Sequence, residues 1–374
     1  MKKFTDTVVY KIGFVLIAGY MLYTTISPLI DSPVKAFKCY FNDKTTSVFF
    51  ASGDSGLTYL DTLKEAGINH FMFLSHESDK ANFHSKYLEF NPNSPGLNSV
   101  FKKLDEHGFD YSIIFQFFYS PTIPDSLKQA DQYGDDRSTD WQSLACPNDT
   151  NFINNRLLLL EEVLSIFKPE IIHIDFLRFQ YFWEEQGITA PGDTSRVFCY
   201  CERCQKSFAN YSGRKLKNYI DMHDYAFGIG RKIYLEWRSK TISRVLSLIR
   251  DSRDRISPKT QISVNIVPYL PSNKNIMTFA TGQDITEISK YADILSPMLY
   301  SEILNTDLQY FEKYMKGLAK TSKVDIIPSI EIYIYTVPEM IFLQKEFGGT
   351  YSLFHLGEFL ESDSGVRRTI LGFN

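Results

Sequence analysis

Short apolar runs alternate with amphipathic stretches along most of this chain. The runs are Val48–Ser52, Ile68–Ser75, Tyr111–Phe118, Ile171–Asp175, Ile262–Val267, Asp293–Tyr300, Val324–Tyr333 and Thr350–Gly357. They are short and rich in β-branched and aromatic residues, as strands buried on both faces are. Between them lie LNSVFKKLDEHG, FINNRLLLLEEVLSIF, a long stretch from about Gly228 to Asp254, DITEISKYA, LQYFEKYMKGLAK and VPEMIFLQKEFG, which have the helical period. Strands alternating with helices predict right-handed crossovers and a parallel sheet. Eight such units in roughly three hundred residues predict an α/β fold of the (β/α)8 TIM-barrel type. Long polar loops follow the third and fourth strands. A doubly wound open sheet is the other architecture with this alternation, but no Gly-x-Gly-x-x-Gly loop follows the first run.

The N-terminal region follows a different pattern. Lys2 and Lys3 precede an uncharged apolar stretch, Ile12–Ile30. Its length is near the ~20 residues that span a bilayer. The reading is a signal peptide or signal anchor with its linker over 1–40, and one barrel domain over 41–374. It implies an extracytoplasmic protein, periplasmic or secreted, attached to the membrane through that segment where the segment is an anchor rather than a cleaved signal peptide.

Composition adjusts this picture in two ways. The net charge is −4 with Lys and Arg scattered, so no nucleic-acid groove is expected. The 23 Tyr, 30 Phe and 3 Trp imply a bulky core and leave rings that can stack on sugar faces. Oligomeric state has no signature in the sequence.

Barrel active sites form at the C-terminal ends of strands. The polar groups there are Gln116 on strand three, His173, Asp175 and Arg178 on and just after strand four, and Asn265 on strand five. Strand six contributes Tyr300 beside Met298, with Glu302 beyond. Strand seven contributes Glu331 and Tyr333, and strand eight His355 and Glu358. Two carboxyls facing each other across a cleft suit glycoside hydrolysis, one as acid and the other as nucleophile or base. Asp175 and Glu331 are the expected pair. Arg178 would hold Asp175 ionised or orient a substrate hydroxyl. His173 points the same way as Asp175 on its strand and reads equally as a core histidine. Gln116, Asn265, Tyr300 and Glu302 complete the expected substrate-binding set.

Of five cysteines, Cys146, Cys199, Cys201 and Cys204 form a set and Cys39 stands apart. Four thiolates meet the tetrahedral requirement of a closed structural zinc site, and Cys201 and Cys204 have the C-x-x-C spacing that clips one ion. With all four positions supplied by the protein, such a zinc staples the two long loops and leaves no open coordination position.

The run HIDFLRF, followed by CYCERCQKSF, resembles glycoside-hydrolase-like barrels whose fourth strand reads roughly D-G-I-H-x-D-Y-x-R-F/Y-P. That resemblance implies a catalytic acid at Asp175 with Arg178 beside it. This chain has Phe176 where tyrosine is usual, Gln180 where proline is usual, and no preceding Asp-Gly pair. The cysteines are similar to those of family 42 β-galactosidases, which have a Cys-Pro after strand three and a Cys-x-Cys-x-x-Cys after strand four, binding zinc. Cys146-Pro147 and Cys199, Cys201 and Cys204 match in order and context. That family has an Asn-Glu pair at the end of strand four, where this chain has Asp175. Its nucleophile is the strand-seven glutamate, which corresponds to Glu331. The resemblances imply a glycosidase acting on a polysaccharide or glycoconjugate. A non-catalytic carbohydrate-binding barrel is the alternative.

Overall fold

The computed structural model describes residues 35–39, 60–61, 63–64, 68–77, 79–133, 142–188, 197–331, 337–347 and 350–354. The apolar stretch Ile12–Ile30, the run Val48–Ser52, and Tyr333, His355 and Glu358 lie outside them. Among the described residues no helix is long and apolar enough to cross a membrane.

The fold is α/β, built on a curled sheet in which all pairings are parallel. Its principal strands are β1 (Lys35–Cys39), β2 (Ile68–Leu74), β3 (Asp110–Gln116), β4 (Ile171–Asp175), β5 (Gln261–Ile266), β6 (Ile294–Leu299), β7 (Ser329–Glu331) and β8 (Tyr351–Phe354). Each pairs with the next in sequence, from β1 with β2 to β7 with β8. β8 pairs in turn with β1, with Ala36 beside Ser352. A short strand, Asp325–Ile326, pairs with β6 just before β7, so Val324–Tyr333 is not one continuous strand.

The first described strand precedes the domain start expected at residue 41. Lys35–Cys39 occupies the place expected of Val48–Ser52 and pairs on both sides. Three short strands, His76–Glu77, Lys80–Ala81 and Glu89–Phe90, form a separate small sheet after β2.

The helices are α1 (Leu97–Glu106), α2 (Thr150–Phe167), α3 (Glu202–Ser212), α4 (Tyr219–Phe227), α5 (Arg231–Ile256), α6 (Lys274–Thr281), α7 (Leu308–Thr321) and α8 (Val337–Phe347). Asp149 caps α2 by accepting the Phe152 amide at 2.8 Å, and Asp307 caps α7 through the Tyr310 amide at 2.9 Å. α5 buries a stripe of Tyr234, Trp237, Thr241, Ile242, Val245 and Ile249 at helical spacing.

Within the sheet a polar layer crosses three strands. His70 on β2 and His173 on β4 both present Nε2 to the Ser112 hydroxyl on β3, at 2.8 and 3.0 Å. Ser112 carries one hydrogen, so at most one imidazole accepts from it and at least one donates to it.

Candidate functional site

Residues from the C-terminal ends of the strands and the loops that follow line a cleft of about 330 Å3. Leu74, Gln116, Asp175, Met298, Tyr300 and Phe354 come from the strands or the positions just past them. Glu77 of the small sheet and Tyr119, Phe176, Arg178, Trp183, Glu184 and Ile303 come from the connections that follow the strands.

Asp175 ends β4, beside Gln116 in register. It is 5 % exposed, and its Oδ1 accepts the amide of Phe176 at 2.8 Å. Phe176 has φ 53°, in the left-handed region. The chain turns sharply there, so consecutive residues Asp175 and Phe176 both face the cleft.

Arg178 lines the cleft, but its hydrogen bonds serve the loop. Nη1 donates to the Tyr181 carbonyl at 2.8 Å and Nη2 to Gln142 Oε1 at 3.3 Å. Its guanidinium also lies over the Phe176 ring. Burial lowers its pKa, against the opposing pull of Glu184, Asp175 and Tyr269. Its part is to hold the loop after β4 in shape and to set the field near Asp175.

Glu331 ends β7 and is 3 % exposed. Its Oε2 accepts the Glu302 amide at 2.8 Å. Tyr300 lies in the field of both expected carboxylates. Burial raises its hydroxyl pKa, and the charges of Asp175, Glu331 and Glu184 add to the rise, with its Ser329 bond opposing. The phenol therefore stays protonated and can donate at the cleft floor.

The remaining expected residues divide. Gln116 lines the cleft, and its Oε1 has no hydrogen-bond partner among the described residues. Asn265 and His173 are buried in the sheet interior and are not among the cleft-lining residues. Glu302 is exposed and contributes its amide to Glu331, while the next residue, Ile303, lines the cleft.

Sequence reasoning missed Glu77 and Glu184, both acids of the cleft wall. Rings able to stack on sugar faces were expected, but apart from Tyr300 the rings of the lining were not named. Tyr119 stacks on Phe176 at 4.9 Å, and Tyr300 stacks on Phe354 at 4.5 Å with Trp183 at 5.9 Å. Glu77 follows β2 directly, so the rule that selects polar groups just past strand ends would have found it. The aromatic run ending in Trp183 was the signal beside Glu184.

The four cysteines converge from the loops after β3 and β4. Cys146, Cys199, Cys201 and Cys204 are buried, and their sulfurs lie within 4.8 Å of one another. Cys146 Sγ is 3.5 Å from Cys204 Sγ and 3.4 Å from Cys201 Sγ. A tetrahedral ion with metal–sulfur bonds of about 2.3 Å sets sulfurs about 3.8 Å apart, close to this spacing. Burial raises the pKa of Cys199 and Cys204, while hydrogen bonds from Cys146 and the other thiols lower that of Cys201. Asn148 also donates to this cluster, from its amide to Cys146 Sγ and from Nδ2 to Cys204 Sγ. The donor set fits a soft divalent metal ion.

Around the cluster the two long loops are bonded to each other. Gln180 donates its amide to Gln129 Oε1 and accepts the Leu144 amide on its own Oε1, each at 3.0 Å. Val197 donates to Gln132 Oε1 at 2.7 Å. Arg238 of α5 donates to the carbonyls of Phe198 and Ala280, tying the cysteine loop to the scaffold.

No protein-family model matches this chain, and no curated protein matches it in sequence. Solved structures do match in fold. The PgaB (BpsB) glycoside hydrolase domain from Bordetella bronchiseptica aligns with a TM-score of 0.67 at 10% identity, over 90% of this chain and 98% of that one. Alpha-L-fucosidase isoenzyme 2 from Paenibacillus thiaminolyticus aligns with a TM-score of 0.57 at 14% identity, over 91% of this chain and 48% of that one. Gan42B, a GH42 β-galactosidase from G. stearothermophilus, aligns with a TM-score of 0.54 at 11% identity, over 86% and 51%. The chain thus spans nearly the whole of the first and about half of the other two. Its structural neighbours are glycoside hydrolases, and the likeness is one of fold.

Proposed function

We propose that the protein is a glycoside hydrolase, built on a (β/α)8 barrel, that cleaves O-glycosyl bonds in a polysaccharide or glycoconjugate. The observation that carries the reading is Asp175, a buried strand-end carboxylate on the wall of an aromatic-lined cleft. Asp175 acts on the glycosidic oxygen or on the anomeric carbon, and Glu331 is its partner carboxylate. Tyr300 donates a hydrogen bond at the floor, and the half-buried rings of Tyr119, Phe176 and Phe354 offer faces for sugars.

A second choice of partner has an observation of its own. Glu184 lines the cleft, whereas Glu331 is not among the lining residues. Single Glu184→Gln and Glu331→Gln variants separate the two: the true partner is the one whose loss stops turnover.

Zinc is the proposed metal of the Cys146, Cys199, Cys201 and Cys204 set. It would neutralise thiolates that burial otherwise disfavours and would staple the loops after β3 and β4. Those loops carry Tyr119, Phe176, Arg178, Trp183 and Glu184 to the cleft.

The test is release of reducing sugars from a broad panel of oligosaccharides and polysaccharides by the purified chain. Release identifies the bond cleaved. Saturable glycan binding without release from any member would support the carbohydrate-binding alternative.

A further inference from the structure

The excursion between β4 and α5 ends in a tight turn at the surface. Gly228 donates its amide to Asp224 O at 3.0 Å, Gly230 to Tyr225 O at 2.9 Å, and Arg231 to Gly228 O at 3.2 Å. Neither glycine leaves room for a side chain. A Cβ at Gly230 would lie 2.3 Å from the Tyr225 ring, and one at Gly228 would lie 2.8 Å from Asp224 O. The turn is therefore closely packed from behind, and it displays Ile229 at 88% exposure.

Cations flank this isoleucine in sequence, and two of them pack on rings of the same region. The Arg214 guanidinium sits 4.6 Å over the Tyr225 ring, and that of Arg231 sits 3.4 Å over Phe279 and 5.6 Å from Phe227. Lys215, Lys217 and Lys232 are exposed. Between 214 and 232 these five cations face two acids, Asp221 and Asp224, in a chain of net charge −4. Asp221 already accepts the Lys217 amide at 2.9 Å. Ile220 on α4 is also half exposed.

We propose that this turn docks on an anionic lipid surface, with Ile229 entering the headgroup region and Arg214, Lys215, Lys217, Arg231 and Lys232 facing lipid phosphates. Stacked guanidinium groups beside a projecting aliphatic side chain suit an interface that is apolar at depth and anionic at its surface. A stable protein interface requires a broader apolar patch than one isoleucine tip. A soluble polyanion would engage the cations and leave Ile229 in water.

The test is co-sedimentation of the full chain with vesicles of phosphatidylcholine alone or mixed with phosphatidylglycerol. The docking surface predicts an anionic-lipid increment that salt weakens. Each cation near such a surface contributes about fivefold in partition. Arg214→Glu and Lys217→Glu should each lower the increment by at least that factor. Ile229→Ser should lower partition about tenfold with charge unchanged. Attachment through Ile12–Ile30 would act on both lipids and in every variant, so the difference between lipids isolates the turn. Equal partition onto both vesicles, or an increment that survives all three substitutions, would overturn the proposal. So would binding to a polyanion such as alginate that is insensitive to Ile229→Ser and is accompanied by no anionic-lipid increment.

Discussion

Glu331 at the end of β7 accepts the backbone amide of Glu302 on Oε2, at 2.8 Å. One carboxylate oxygen thus anchors the loop after β6, the loop that also supplies Tyr300 and Ile303 to the cleft. Glu331→Gln retains an oxygen acceptor for the Glu302 amide and removes the charge. If Glu331 is the partner carboxylate, this variant keeps wild-type stability and loses about 100-fold or more of turnover, the usual weight of an acid–base group. Glu331→Ala should additionally lose about 1 kcal/mol of stability, because the amide is left without its acceptor. Chemical denaturation beside rate measurements checks both.

Metal removal should act through the loops. Elemental analysis of the purified chain is expected to find one zinc per molecule. Cys201→Ser or Cys204→Ser should lower the melting temperature, by roughly 2–4 °C for each kcal/mol lost. Activity should fall with loop order and return on refolding with zinc. Full activity in a chain stripped of metal at unchanged melting temperature would contradict the staple.

The amide and the side chain of Gln180 each bridge the two long loops. Gln180→Pro removes the donor to Gln129 and the acceptor for Leu144 together. The expected loss is about 2–4 kcal/mol, from two buried groups left without partners. Urea denaturation measures it.

Two buried groups give stability opposite dependences on pH. Burial pushes Glu339 up to about 7, against the hydrogen bond from Ser301, and its Oε2 has no partner among the described residues. The folded state binds this proton more tightly than the unfolded one, so stability is full below the usual 4.5 and is lost as pH rises to about 7. The loss is about 3 kcal/mol for a shift of this size, and Glu339→Gln should abolish it. Burial lowers His70 to about 4, with Asp110 opposing. Its contribution is present above 6.5 and disappears as pH falls through 4. Denaturation midpoints across this range, for the wild type and Glu339→Gln, check both signs.

The strands legible in the sequence were those with continuous apolar runs, such as IIHID, because a parallel sheet covered on both faces demands them. β1 was not legible. Its sequence, KAFKC, has two lysines in five residues, and only pairing with β2 and β8 marks it as a strand. The cysteine set was readable because C-x-C-x-x-C is local and one ion needs a fourth ligand. The cleft was readable where side chains follow strand alternation, as at Gln116 and Asp175, and just past strand ends, as at Arg178 and Tyr300. Glu184 reaches it through a loop and the helical turn Trp183–Gln186, and no periodicity encodes such a return. Asn265 shows the converse: it follows the alternation of β5 and is buried in the sheet interior.

The central claim is that Asp175 performs the chemistry. Its most direct test compares the wild type and Asp175→Asn for turnover and for binding of the same oligosaccharide. The variant keeps the shape of the side chain and an oxygen for the Phe176 amide, so folding and binding should be unchanged. Release should fall by about 100-fold or more. Release at the wild-type rate in a folded Asp175→Asn protein would contradict the account and move the reaction to another carboxylate of the cleft.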